Sequence, residues 1–357
     1  MKAIVAMSGG VDSAVAAALL KEQGYQVSGV TMQIWNGANS ATEGRHHGCY
    51  GPGEAEDIAD ARRVAQILDI NFRVFDLKQT YRTEVLDYFC QEYLAGRTPN
   101  PCLRCNHKVK FEALFSQAQE SGIKADFFAT GHYARVEYDA SQQRYRLKKA
   151  RDLNKDQSYF ISSLSQEQLG RSLFPIGDYT KAEVRRLASG FGLEIAEKPE
   201  SQDFISGGYA SLIATAPPGP ILNKQGNILG EHRGLPFYTI GQRRGLGIAA
   251  SEPLYVTDIN PDENTVIVGN QAEVYRDELT ASRLNWIAIA ELDKPTRVSA
   301  KIRNLHQPAE ATVTPLNRDR VHVKFEEPQK AITPGQAVVF YQEDVVLGGG
   351  TIERREE

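Results

Sequence analysis

Ala3-Ile-Val-Ala-Met-Ser-Gly-Gly-Val-Asp-Ser-Ala-Val-Ala-Ala-Ala-Leu-Leu20 is the stretch whose reading decides the fold. Ala3 to Ala6 is a short apolar run, as a buried strand requires. Asp12 to Gln23 is rich in alanine and leucine and reads as a helix, with Gly24 placed as its C′ glycine. Between them Ser8-Gly9-Gly10-Val11-Asp12-Ser13 must turn tightly from strand into helix. Outward from this point, Val27 to Met32 is a second strand. Glu54 to Leu68 is a helix with Ile58, Ala61, Ala65 and Leu68 on one face. Phe72 to Leu77 and Asp126 to Thr130 are further strands, and Thr80 to Leu94 and Lys108 to Glu120 further helices. Strands alternating with helical crossovers predict an α/β fold with a doubly wound parallel sheet.

After about residue 205 the texture changes. Gly207-Gly208, Pro217-Pro-Gly-Pro220 and Gly245-Leu-Gly247 punctuate short β-branched runs, and Leu254 to Ile259 with Thr265 to Val268 reads as a hairpin around Asn260-Pro-Asp-Glu. The last eighty residues alternate, as in Arg297-Val-Ser-Ala-Lys-Ile-Arg and Arg320-Val-His-Val-Lys-Phe, and end in Ala337-Val-Val-Phe-Tyr and a Gly348-Gly-Gly turn. The expectation is a catalytic α/β domain over 1–205, a small central β-rich domain over 206–276 and a C-terminal β-barrel over 277–357.

Composition bounds the function classes. The 357 residues carry 41 Lys+Arg against 45 Asp+Glu, a net charge of −4, and are 41% hydrophobic, an ordinary globular balance. No apolar run approaches the ~18 residues of a membrane helix. The N-terminus turns polar at Ser8, too early for a secretory signal. Four cysteines are too few for a disulfide scaffold. These features point to a reducing cytoplasm and no membrane partner. Mild acidity leaves nucleic acid open, because local charge decides there: Arg144 to Lys155 holds six cations and one acid, a local phosphate-binding patch or a solvated hairpin.

Two glycines at the mouth of a helix expose backbone amides beside the positive end of the helix dipole, which suits phosphate. Ser8 and Ser13 can donate hydroxyls, and Asp12 is placed to hold Mg²⁺ with the nucleotide. No lysine follows the glycines, so the loop is not a Walker A motif. The second informative stretch is Asn100-Pro101-Cys102-Leu103-Arg104-Cys105-Asn106. Arg97, Arg104, Lys108 and Lys110 surround it with no acid from 97 to 110, which predicts nucleophilic thiolates. A structural zinc site would want more ligands than His46, His47 and His107. Cys90 reads as a small core residue. Cys49 follows the second strand on the sheet edge that carries the phosphate loop, either as a plain loop thiol or within reach of the site.

The loop resembles the PP-loop of ATP pyrophosphatases. With it, Thr98-Pro-Asn-Pro-Cys102-x-x-Cys105-Asn106, Ala129-Thr-Gly131-His132-Tyr133-Ala134-Arg135 and Asn154-Lys155-Asp156-Gln157-Ser158-Tyr159 occur in order. Lys198-Pro-Glu-Ser201-Gln-Asp203, Thr239-Ile-Gly-Gln-Arg-Arg-Gly245-Leu-Gly and Thr333-Pro-Gly-Gln336 follow them. Nearly the whole chain resembles the tRNA-specific 2-thiouridylase family. The resemblance implies ATP-dependent adenylation of the C2 oxygen of a tRNA wobble uridine. Sulfur borne as a cysteine persulfide and supplied by a donor such as a cysteine desulfurase or relay protein then replaces that oxygen. It further implies that Ala6, Met7, Ser8, Gly9, Gly10, Val11, Asp12, Ser13, Met32 and Gly131 bind ATP. Cys105 is the implied catalytic cysteine, and Asn100, Pro101 and Cys102 border the target base. His132, Lys155, Asp156, Gln157, Arg303, Asn304 and Gln336 contact tRNA on the same reading.

The chain departs from the family pattern at one point. The best-known members carry a second cysteine just after a motif like Glu200-Ser201-Gln202-Asp203, where this chain reads Phe204-Ile205, and tend to have aspartate where it has Cys102. Either Cys102 takes the second thiol role, which is the favoured reading, or Cys49, Cys102 and Cys105 ligate an iron–sulfur cluster. Two other functions compete: a PP-loop synthetase or amidotransferase acting on a small substrate, and a catalytically inactive tRNA-binding protein.

Overall fold

A computed structural model describes residues 1–37, 48–198, 203–205, 212–213 and 216–355. The expected features at His46 and His47, at 199–202 and at Gly207-Gly208 lie outside these. The chain divides into two compact units. The first holds Met1–Val85, Pro101–Gly208 and Asp344–Val346, and the second Leu86–Asn100, Tyr209–Glu343 and Leu347–Glu357.

The first unit contains β1 (Lys2–Ala6), β2 (Gln26–Gln33), β3 (Gly48–Tyr50), β4 (Asn71–Asp76), β5 (Phe127–Thr130), β6 (Ala134–Asp139), β7 (Arg144–Lys149), β8 (Ser172–Leu173) and β9 (Asp203–Ile205). Five of them form a parallel sheet in the order β4-β2-β1-β5-β8. In the central strand Ala3 is opposite Val27 on one side and Phe127 on the other. The helix α1 (Val11–Glu22) is buried almost all round, from Ala14 to Leu20, which explains its alanine-rich rather than amphipathic sequence. Gly24 closes it with φ +82°. A second helix, α2 (Glu54–Ile67), adds Ala61, Val64 and Ala65 to the same core.

The helix expected from Lys108 starts earlier. Pro101–Arg104, Cys105–Leu114 and Phe115–Glu120 run on without a break, and we call this run α3. Proline at a first helical position, where its missing N–H costs nothing, opens it. Both cysteines of the pair therefore lie on a helix, and the Cys105–Leu114 segment is π-helical. A last helix, α4 (Lys181–Gly190), is launched by a capping box between Thr180 and Glu183.

The second unit contains β10 (Gly219–Asn223), β11 (Ile228–His232), β12 (Tyr255–Asn260) and β13 (Thr265–Gly269), a sheet in the order β11-β10-β13-β12. Ile221, Val256, Ile259, Val266 and Val268 fill its core. Then come β14 (Tyr275–Trp286), β15 (Thr296–Lys301), β16 (Ala309–Pro315), β17 (Arg320–Lys330), β18 (Ala337–Gln342) and β19 (Val345–Ile352). They pair in the order β14-β17-β16-β15-β18-β19 and close into a barrel through β14 and β19, with Ala281 opposite Ile352. The expected turn at Gly348-Gly-Gly is instead the middle of β19. A Cβ at Gly348 would lie 2.6 Å from the Asn285 carbonyl, one at Gly349 2.6 Å from that of Val338, and one at Gly350 2.8 Å from that of Ser282. The glycines are there for close backbone approach at the barrel closure, not for turning.

Candidate active site

The phosphate loop leaves β1 at its carboxyl end and enters α1 without a side-chain cap at Gly10. Gly9 has φ +74°, and a Cβ there would sit 2.3 Å from the Asp57 carbonyl oxygen, so α2 packs where any side chain would go. Ser13 braces the turn. Its hydroxyl donates to the Gly10 carbonyl at 3.1 Å and accepts from the Ser8 amide at 3.1 Å. At the end of β5, a Cβ on Gly131 would be 2.5 Å from the Ser13 amide nitrogen, so β5 is pressed against the first turn of α1. Met7 is buried, while Met32 lies at the carboxyl end of β2, the strand next to β1.

Asp12 is engaged within the protein. Lys181 Nζ lies 2.8 Å from its Oδ1 and 2.9 Å from its Oδ2, and the Tyr133 hydroxyl donates to Oδ1 at 2.8 Å. Gln157 in turn holds Tyr133, its Oε1 accepting from the Tyr133 amide at 2.9 Å. A carboxylate ligated in this way does not fit the expected role as a ready Mg²⁺ ligand. Neither Lys181 nor Tyr133 was singled out by the sequence reading, because their contact with Asp12 crosses more than a hundred residues.

Sequence proximity had suggested a cationic setting for the cysteine pair, and the structure corrects it. Arg97 forms a two-point pair with Glu92, Arg104 pairs with Glu84 at 2.6 Å, and Lys108 pairs with Glu112 at 3.0 Å. Lys110 alone draws the Cys105 pKa down, and burial outweighs it, so the thiol is pushed up to about 11. Cys105 is buried, Cys102 half-buried and Cys49 exposed, and all four cysteines are free thiols. The three share one neighbour. Burial first, then Cys105, Cys49 and Cys102, raise the phenol of Tyr81 well above its ordinary value. Tyr81 in turn stacks on Tyr50 of β3, with ring centroids 5.4 Å apart. In β3 the register sets Gly48 beside Asp203 and Tyr50 beside Ile205 of β9, so Cys49 lies in the strand that pairs with Phe204-Ile205. Among the described residues, however, no three His, Cys, Asp or Glu side chains converge to hold a metal. The three thiols are gathered but not arranged as cluster ligands.

His132 couples α3 to the loop. It follows Gly131, accepts or donates at 2.7 Å with the Thr130 hydroxyl, and packs 6.0 Å from the Phe111 ring of α3. Burial, then the charge of Lys110, push its imidazole down to about 3, so it is neutral. Lys110 thus acts on both Cys105 and His132. Asp156 accepts from the Ala150 and Ser158 amides and the Ser158 hydroxyl, which makes it a turn brace. The basic run around Lys155 is largely answered from within: Arg146 pairs with Asp139, Lys148 with Glu137 and Asp344, and Arg151 with Glu183.

The remaining expected contacts belong to the second unit. Gln336 Nε2 donates to the Thr98 and Pro99 carbonyls at 3.0 Å each, fixing the strand of chain that leads into Asn100. Gly335 (φ +89°) allows this: its Cβ would lie 2.9 Å from that of Arg97. Arg303 donates to the Lys330 carbonyl at 3.0 Å, and Asn304 follows it in the β15–β16 connection. Pro101 is the first residue of α3.

Comparison with known proteins agrees with this architecture. Residues 1–206 match the family model described as tRNA methyl transferase HUP domain. Residues 209–270 match the tRNA methyl transferase PRC-barrel domain, and residues 276–352 the aminomethyltransferase beta-barrel domain. Three chains named tRNA-specific 2-thiouridylase MnmA are similar over nearly their full length. The one from Moorella thermoacetica is 49% identical, covering 98% of this chain and 99% of its own. Those from Clostridium perfringens (47%; 99% and 98% covered) and Acetivibrio thermocellus (48%; 99% and 99%) are alike. No helix among the described residues is long and apolar enough to cross a membrane. On an α/β sheet with a glycine-walled phosphate loop, a PRC-barrel segment and a closed β-barrel, this chain belongs to the tRNA-specific 2-thiouridylase family.

Proposed function

We propose that the protein converts uridine in tRNA to 2-thiouridine in two steps served by the first unit. ATP binds over Ala6 to Ser13, Met32 and Gly131, where uncapped helix amides and the dipole of α1 favour phosphate. The uridine C2 oxygen attacks the α-phosphorus, pyrophosphate leaves, and the oxygen becomes part of a phosphate leaving group. A persulfide on Cys105, loaded by an external donor, attacks C2 with its terminal sulfur and expels AMP. The Cys102 thiolate then attacks Cys105 Sγ, the bond between Cys105 and the transferred sulfur breaks, and a Cys102–Cys105 disulfide is left for a reductant to reopen. Cys102 and Cys105 stand three residues apart on α3, close to one turn of helix.

The observation that carries this reading is that a phosphate loop and a buried thiol helix share one unit, with Lys110 acting on both Cys105 and the residue after Gly131. Asn100, Pro101 and Cys102 are assigned to the target base. His132, Lys155, Asp156, Gln157, Arg303, Asn304 and Gln336 are assigned to the tRNA surface, with Asp156, Gln157 and Gln336 acting through the backbone that they hold. The three-part division at about 205 and 276 serves as the working domain scheme. Burial that keeps Cys105 protonated also protects it from stray oxidation, which follows thiolate character.

The test is mass spectrometry of tRNA nucleosides after incubation with the enzyme, ATP and a persulfide donor. Appearance of 2-thiouridine that depends on ATP and on Cys105 is expected. AMP release without tRNA would favour a small-molecule synthetase, and tRNA binding without AMP release an inactive binder.

A further inference from the structure

Arginines of the second unit gather at one cleft. Arg97, Arg283, Arg320, Arg354 and Arg355 line a hollow of about 500 Å³ together with Glu92 and Glu353, five cations against two acids in a chain whose net charge is −4. None of the residues assigned to ATP or to tRNA above lines it. The cleft lies where the barrel closes. Ser282 of β14 faces Arg320 of β17 on one side and Thr351 of β19 on the other, so the three side chains form one row. Beyond Ser282 the β14–β19 register slips before it resumes at Asn285, and Arg283 stands in that bulge with φ +53°. A left-handed backbone is costly for a residue that carries a side chain, and a bulge re-aims the side chain it holds. Here that side chain is the arginine brought to the cleft.

The charges are answered unevenly. Arg97 and Arg320 each give Nε and Nη2 to one acid, Glu92 and Glu353 respectively, at 2.7–2.9 Å. Arg354 meets the carboxylate of Asp262 at 4.0 Å, and Asp262 is 91% exposed. Among the described residues Arg283 pairs with no carboxylate. Fixed guanidiniums beside unanswered ones, in a hollow of ligand size, leave positive charge to be met from outside. An arginine fork matches two oxygens of one phosphate.

We propose that this cleft is a phosphate site in which Arg283 and Arg354 take neighbouring phosphate groups of the tRNA backbone, with the Arg97–Glu92 and Arg320–Glu353 pairs as its rigid walls. The contact is one of charge and hydrogen bonding, and no covalent bond changes. The proposal rests on the tRNA reading above and adds to it a grip that is blind to base sequence, since phosphates position a nucleic acid without identifying it.

Equilibrium binding of tRNA across a salt series tests it, with the full chain, the double variant Arg283→Gln, Arg354→Gln and the double variant Arg283→Lys, Arg354→Lys. ATP binding by the first unit serves as the fold control. The glutamine pair should bind tRNA about tenfold more weakly, and its slope of log affinity against log salt should be shallower by about two. The lysine pair should keep the full slope, because its charge is intact, and lose part of the affinity, because an ammonium offers no fork. An unchanged slope in the glutamine pair overturns the proposal and leaves the tRNA reading standing. A wild-type chain that binds no tRNA overturns the tRNA reading, and inorganic tripolyphosphate then decides the site by calorimetry. Weaker tripolyphosphate binding by the glutamine pair supports a phosphate site fed by a free oligophosphate, and equal binding overturns the site as well. Should the glutamine pair fail to fold, tRNA should shield Arg283 and Arg354 of the wild-type chain from phenylglyoxal, read by peptide mass spectrometry. Full modification in the presence of bound tRNA overturns the assignment.

Discussion

Raising the pH across the titration of Cys105 exposes the central chemical claim about the thiol site. Its pKa moves from 9.0 to about 11, with burial the largest cause and Lys110 opposing it. Two units correspond to about a hundredfold less thiolate than an unperturbed cysteine at any pH below about 9. Alkylation by iodoacetamide, followed by peptide mass spectrometry, reads the thiolate directly. The Cys105 rate should climb about tenfold per pH unit through pH 10 without a plateau, whereas the same peptide in the denatured chain should level off near its ordinary pKa. Restricted access lowers the whole curve but leaves its bend in place, so the position of the bend is the decisive reading. Lys110→Met should move that bend further up, since a nearby cation favours the thiolate and its removal disfavours it. A Cys105 profile that levels off near pH 8 would refute the argument that burial outweighs the neighbouring charges.

Gly9→Ala should cost at least about 1–3 kcal/mol, because its φ of +74° and the 2.3 Å approach of the Asp57 carbonyl both exclude a side chain; an unchanged urea midpoint would count against that geometry. Cys102→Ala should abolish 2-thiouridine formation while Cys49→Ala keeps most of it, scored by nucleoside mass spectrometry with ATP binding as the fold control; the reverse pattern would transfer the second thiol role to Cys49. Gln336→Ala removes two hydrogen bonds to the Thr98 and Pro99 carbonyls, about 1 kcal/mol each, and should weaken tRNA binding without touching ATP affinity. A Gln336→Ala chain with full tRNA affinity would dismiss the idea that this glutamine sets the 98–100 segment.

The elements read best from sequence are those whose signals are local. Ala3 to Ala6 followed by two glycines and an alanine-rich run has one physical solution, a buried strand turning into a buried helix, and Gly24 ends it as expected. Local signals failed where long-range contact decides. The glycines of β19 look like a turn because nothing in their neighbourhood reveals that β14 and β18 press against them. Cations near the cysteine pair look like thiolate stabilisers until Arg97, Arg104 and Lys108 are followed to Glu92, Glu84 and Glu112, which leaves Lys110 against the burial of Cys105. The site's loop and thiols were legible, but the Asp12–Lys181 pair joins residues 169 positions apart and leaves no trace in local pattern.

Asp344–Val346, which follow the long Tyr209–Glu343 segment of the second unit, belong to the first unit. There Asp344 takes Arg135 at 2.8 Å, its carbonyl accepts from the Lys149 amide at 2.8 Å, and Val345 pairs with Lys148. Vectorial synthesis therefore delivers most of the first unit early but leaves its edge unfinished until the ribosome has also made Tyr209–Glu343 of the second. Completion of the first unit thus waits on the synthesis of most of the second. A chain cut short by a stalled ribosome or premature stop would emerge with its phosphate loop made and the Arg135 and Lys148 side chains still seeking their partner, a state that quality-control proteases are well placed to recognise.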